Sequence, residues 1–195
     1  HFLRGVFIDQ TSTADVFKPH WLTHHVFTPR HDFTLSWGGA IRIGVGRLWR
    51  ISDPATAGEL SRKIENEVLP LLRPMGSLRN YVDAATRHEF SHQFLDAPRK
   101  IVVDAAMGDV ESARAQCPVF RKRVGDGSHL SPEVLRQEYE GVLELCELLE
   151  RDDIAGVIAK LHAWEEANAK RWKLEKVWER TPFPIESMSS LRDAK

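Results

Sequence analysis

Ala40-Ile41-Arg42-Ile43-Gly44-Val45-Gly46-Arg47-Leu48-Trp49-Arg50-Ile51-Ser52-Asp53-Pro54 is the stretch on which the fold turns. Its first half repeats every two residues: Ile41, Ile43 and Val45 share one face, and Arg42, Gly44 and Gly46 the other. That is the pattern of a strand with one face buried. Asp53-Pro54 then reads as a helix N-cap followed by proline at the first helical position. Beyond it the apolar period lengthens to that of a helix, with Leu60, Ile64, Val68 and Leu71 or Leu72 in one stripe that ends before Pro74-Met75-Gly76.

Working back from this point, the chain reads as strands. Arg4 to Ile8 is rich in β formers and stops at the polar run Asp9 to Asp15. Trp21 to Thr28 forms a second run ending at Pro29, and Asp32 to Trp37 a third ending at Gly38-Gly39, a hairpin-type dipeptide. The connections are too short for helical crossovers, so the sheet is expected to be antiparallel.

Working forward, the chain reads as helices. Ser77 is placed to cap one that runs to about Leu95. Ile101 to Met107 stops at Gly108-Asp109, and Val110 to Gln116 resumes until Pro118. The stretch from Arg121 to Leu130 reads as a loop; Ser131-Pro132-Glu133 starts a long helix to Glu150, and a last helix spans Ile154 to about Arg180. The turn at Met107-Gly108-Asp109 is echoed at Arg151-Asp152-Asp153, 44 positions on, which marks two helical hairpins. Strands first and helices after give an α+β fold. The expectation is a single domain over 1–195: an antiparallel sheet in about 2–50, helices and antiparallel hairpins in about 54–180, and a frayed tail over 187–195.

Composition narrows the function classes. The chain has 195 residues and a net charge of −1, so no field points to nucleic acid or anionic lipid. No run of 18 apolar residues occurs, so no membrane span is expected, and the start lacks the apolar core of a signal peptide. Two cysteines, Cys117 and Cys146, read as buried thiols in a reducing, cytoplasmic setting.

His88-Glu89-Phe90-Ser91-His92 carries the sharpest chemical signal. It matches H-E-x-x-H on an expected helix, where residues four apart share a face and both imidazoles can reach one zinc ion. The five residues resemble the active-site helix of zinc metallopeptidases. That resemblance implies His88 and His92 as metal ligands and Glu89 as the catalytic base on a metal-bound water. Two features depart from the family: Arg87 directly precedes the motif, and neither Asp104 nor Glu111 stands in a recognisable third-ligand motif. The stripe Tyr81, Ala85, His88, His92, Leu95 also reads as a helix seam whose histidines bond to backbone or carboxylates. His20, His24, His25 and His31 form a second cluster without cysteine or carboxylate partners at ligand spacing. Trp164, Trp172 and Trp178 read as core or interface anchors, and the mixed charges around them as a solvated face. Gly44-x-Gly46 lacks the third glycine of a dinucleotide fingerprint.

Three further segments, Arg4-Gly5-Val6-Phe7-Ile8-Asp9-Gln10-Thr11-Ser12, Arg47-Leu48-Trp49 and Trp178-Glu179-Arg180-Thr181-Pro182-Phe183, are similar to an uncharacterised family of small bacterial proteins. The resemblance implies a bacterial origin and a free-standing small domain; it brings no activity, cofactor or site residue. The functional expectation is a non-enzymatic binding protein, of immunity or accessory type, with another protein as partner and no cofactor. The alternative is a zinc-dependent hydrolase using His88, Glu89 and His92.

Overall fold

A computed structural model of the chain describes residues 2–10, 15–29, 37–44, 48–87, 97–126 and 133–187. It shows the expected α+β order: β1 (Phe2–Gln10), β2 (Val16–His25), β3 (Trp37–Ala40) and β4 (Trp49–Arg50), then helices. The helices are α1 (Thr56–Lys63), a π turn (Ile64–Val68), α2 (Leu69–Leu72), α3 (Leu78–Arg87), α4 (Ala97–Met107), α5 (Val110–Gly125), α6 (Glu133–Glu150) and α7 (Ile154–Arg171). They group into two compact units, one within residues 2–24 and 34–91, the other within 25–33 and 92–195.

In the first unit β2 is central. It pairs with β1 on one side, while β3 and β4 lie end to end along the other, both antiparallel to it. His20 to Thr23 face Ala40 to Trp37, and Val16 and Phe17 face Arg50 and Trp49. Between these two pairings sits Pro19, whose carbonyl takes the Ile41 N–H at 2.8 Å. Proline has no N–H to return, so the ladder cannot continue there. Among the described residues, the run Ala40–Trp49, expected as one strand, pairs with β2 at its two ends. Gly38-Gly39 is likewise not a turn but part of β3: a Cβ at Gly38 would collide with the Trp21 carbonyl.

The helix after β4 starts later than Asp53-Pro54 suggests. Asp53 instead caps a turn, its carboxylate taking the Ala55 N–H at 2.9 Å, and α1 begins at Thr56. Pro70 explains the π turn that follows: it has no N–H for the Asn66 carbonyl, and the wider turn relieves its ring's clash with that carbonyl. Ser77 caps α3 as expected, taking the Asn80 N–H at 3.2 Å. Phe17, Trp21, Leu22, Ile41, Trp49, Val68, Leu72, Leu78 and Tyr81 form this unit's core. Arg4 ties β1 to it through a 2.9 Å bond to the Leu72 carbonyl.

The second unit is built on two helical hairpins. Each turn does two jobs with three residues. Gly108 (φ 85°) and Asp152 (φ 57°) occupy the left-handed region at the end of α4 and α6. Their N–H groups and those of Asp109 and Asp153 reach back to the carbonyls of Ala105, Asp104, Leu149 and Leu148, which closes each helix in a Schellman motif. Asp109 and Asp153 then cap the next helix, accepting from the N–H of Ser112 and Gly156. The match extends into the packing. Ile101, Val102, Ala105, Ala113, Cys117 and Phe120 are buried, and so are their equivalents 44 positions on, Leu145, Cys146, Leu149, Val157, Leu161 and Trp164.

Two helix limits differ from expectation. Pro118 does not end α5: it lies on the exposed side, and the packed stripe Ala113, Cys117, Phe120 carries the helix on to Gly125. The last helix stops at Arg171, not Arg180, because Lys173 (φ 57°) starts a third Schellman closure, with Leu174 N–H bonded to the Ala169 carbonyl at 2.8 Å. The segment 26–29 is buried in this unit; Asn168 holds it by donating to the carbonyls of Val26 (2.6 Å) and Thr28 (2.9 Å).

Candidate functional site

The metal ligands His88 and His92 and the catalytic base Glu89 of the hydrolase alternative lie outside the described residues, as does His31. Among the described residues no group of three or more His, Cys, Asp or Glu is placed to hold a metal ion. His24 and His25 are in β2, with side chains outside the described set, and His20 stacks on Phe7 at 5.0 Å and 18° between planes. That contact places His20 in an aromatic pair across β1 and β2.

The break in the β ladder at Pro19 opens a cleft of about 730 Å³ on the first unit. Phe17 and Trp49, 6.2 Å apart and tilted by 31°, line it with Ile41. The floor is stitched by the Trp49 indole N–H, which donates to the Ile41 carbonyl at 2.7 Å. Lys18, Arg42 and Lys63 bring cations to its walls, against one carboxylate, Glu67, which holds Lys63 at 2.5 Å.

Phe17 also borders a second groove, of about 490 Å³, lined by Ile8, Ile51, Pro54, Ala57 and Leu60 among others. Its rim is apolar and wet: Ile8 is 59% exposed and Ile51 64%. Val6, on the same face of β1 as Ile8, is 37% exposed. In the sheet order β1-β2-β3, β1 is at the edge, and nine residues make it long for an edge strand.

The second unit holds two buried polar arrangements that sequence reasoning missed. His162 Nε2 lies 2.8 Å from Glu186 Oε1, which also accepts the Phe183 N–H at 2.7 Å. Its Nδ1 faces the buried Glu165 carboxylate at 3.4 Å, and its ring packs on Phe183 at 4.8 Å. The i, i+3 spacing of His162 and Glu165 was the one local signal; Glu186 is distant in sequence. Together these contacts anchor the turn at 184–187 to α7. The second arrangement is Cys117 and Cys146, expected as separate buried thiols. They are neighbours across α5 and α6, and Cys117 donates to the Ala113 carbonyl at 3.4 Å. The neighbouring Cys146 holds the Cys117 thiol below its usual range, and the proximity of Cys117, then burial, pushes the Cys146 thiol up. Arg114 bonded to the Leu149 carbonyl (2.9 Å) and Arg121 paired with Glu150 (2.6 Å) bracket them.

No helix among the described residues is long and apolar enough to cross a membrane. No family model, no curated protein and no solved structure matches the chain.

Proposed function

We propose that this chain is a non-enzymatic binding protein, of immunity or accessory type, that docks an extended segment of a partner protein along β1. One observation supports the reading above others. The edge strand carries exposed Val6 and Ile8, and Ile8 lines an apolar groove together with exposed Ile51. An edge presents a row of backbone donors and acceptors to any added strand, and pockets for alternate side chains give the addition its specificity. Proteins blunt such edges with charged side chains, lysine above all, with proline or with bulges; Phe2–Gln10 has no lysine or proline, and of its two charged residues, Arg4 and Asp9, Arg4 is tied to the Leu72 carbonyl.

The test is affinity capture from the native host with the wild-type chain, Ile8→Lys, Ile51→Lys and a control, Val177→Lys, at an exposed position of the other unit. A partner held by wild type and control but lost with both isoleucine variants supports the reading. Equal capture by all four overturns it. The hydrolase alternative stands on His88, Glu89 and His92. Stoichiometric zinc that survives dialysis and is lost in His88→Ala and His92→Ala would put that alternative first, and loss of hydrolysis in Glu89→Gln with zinc retained would establish it.

A further inference from the structure

The cleft at the Pro19 break has a chemistry of its own. Its floor is apolar and fixed: Phe17, Ile41 and Trp49 are buried, and the Trp49 N–H is already committed to the Ile41 carbonyl. Its walls are cationic. Lys18 and Arg42 are exposed and make no hydrogen bond or ion pair among the described residues, while Lys63 is held by Glu67. Leu48, 54% exposed, adds an apolar lip. Lys63 and Glu67 reach the cleft from the junction of α1 and the π turn, and π turns inside helices recur at functional sites. A volume of about 730 Å³ is that of a small-molecule site.

We propose that this cleft binds a small amphipathic anion, with a carboxylate or phosphate head between Lys18 and Arg42 and an apolar body over Ile41, Leu48 and Trp49. A neutral apolar ligand would leave both cations unused. A bare inorganic anion would leave the floor wet. Extended nucleic acid needs a longer basic track than one cleft in a chain of net charge −1. Arginine supplies a planar fork for either head group, and lysine a point charge beside it. Low-dielectric walls concentrate the field of both cations at the mouth.

Calorimetry on the full chain separates the parts. The probes are octanoate and octyl phosphate, which distinguish the two heads, octanol as the body without charge, and inorganic phosphate as the head without a body. One of the two amphipathic anions should bind about tenfold or more tighter than octanol and inorganic phosphate. The double variant Lys18→Gln, Arg42→Gln should weaken it by about a hundredfold and flatten its salt dependence, since each of the two lost charge-assisted bonds is worth about tenfold. Leu48→Ser, at an exposed position, should weaken binding of the octyl probes and leave inorganic phosphate unchanged. Lys173→Gln, in the other unit, should change nothing. Octanol or inorganic phosphate binding as tightly as the better of the two amphipathic anions, an unaffected double variant, or no saturation by any probe up to about 10 mM would each overturn the proposal.

Discussion

The two units spend their apolar side chains differently. In the helical unit Ile101, Ala105, Leu145, Leu149 and Leu161 are all fully buried, and equivalent positions of the two hairpins face inward. In the sheet unit Val6, Ile8, Leu48 and Ile51 remain exposed around two grooves, although that unit has a core of its own. The helical unit exposes apolar side chains too, Val119 and Val177, but neither lines a groove, whereas Ile8, Ile51 and Leu48 each do. The proposed binding surfaces therefore both lie on the sheet unit.

The sharpest way to break this contrast is to cut the same chemistry from both sides. Leu145→Ala and Leu161→Ala remove methyl groups from a packed interior and should each cost about 2–5 kcal/mol. Ile8→Ala and Ile51→Ala, at exposed positions, should stay within about 0.5 kcal/mol. Urea midpoints for the four variants, with Glu144→Ala as an exposed helical reference, decide it. Equal losses in both units would remove the distinction.

Asn168 tests how the segment 26–29 belongs to the helical unit. Its side-chain amide donates to both the Val26 and Thr28 carbonyls, and it is fully buried. Asn168→Ala strands those acceptors, so a loss of about 1–3 kcal/mol is expected. Amide exchange should quicken in 26–29 first. A neutral result would mean that Phe27, packed edge-on against Phe183 at 5.2 Å, holds the segment without the amide.

The same division governs what could be read from the sequence. The hairpin turns were legible because their chemistry is local: a left-handed position and an aspartate cap leave a signature three residues long. The order of strands and helices was legible from apolar period. Strand limits were not. Trp21–Thr28 became Val16–His25 because the sheet partner, not β propensity, decides where pairing stops. Pro19 held the reason for the split between β3 and β4, but its meaning appears only once β2 is known to be central. The thiol pair and the His162–Glu186 contact join residues 29 and 24 apart, beyond any periodic signal. Exposure of Ile8 and Ile51 follows from burial, which alternation alone does not assign. The motif His88 to His92 falls outside the described residues, so its reading still rests on spacing.

The repeated turns allow a finer comparison within the helical unit. Asp109→Ala and Asp153→Ala each remove an N-cap, and each should cost about 1 kcal/mol. Asp153 sits 2.8 Å from its N–H donor and Asp109 3.3 Å from its own, so the second turn should lose more. Thermal midpoints of the two variants, measured side by side, test whether geometry ranks the caps. A larger loss at Asp109 would show that the surrounding contacts outweigh cap length.

The smallest expected effect lies in the sheet unit and is a matter of acid. Asp15, just before β2, takes the Ser52 N–H at 2.8 Å and the Arg50 guanidinium at 3.0 Å, which clasps the start of β2 to the end of β4. The hydrogen bonds from Ser52, then that from Arg50, hold its carboxyl below the usual carboxylate range. A carboxyl depressed in the folded state binds its proton less readily there than in the unfolded chain. Its contribution is therefore complete above the ordinary carboxylate range and is lost as pH falls through the folded value. Asp15 is partly exposed, so solvent and salt screen the clasp and the effect is small. Asp15→Asn should lower stability slightly at neutral pH and flatten its fall in acid, with the two chains converging at the lowest pH. Urea midpoints across that range read it directly, and parallel curves for the two chains would show that the clasp contributes nothing.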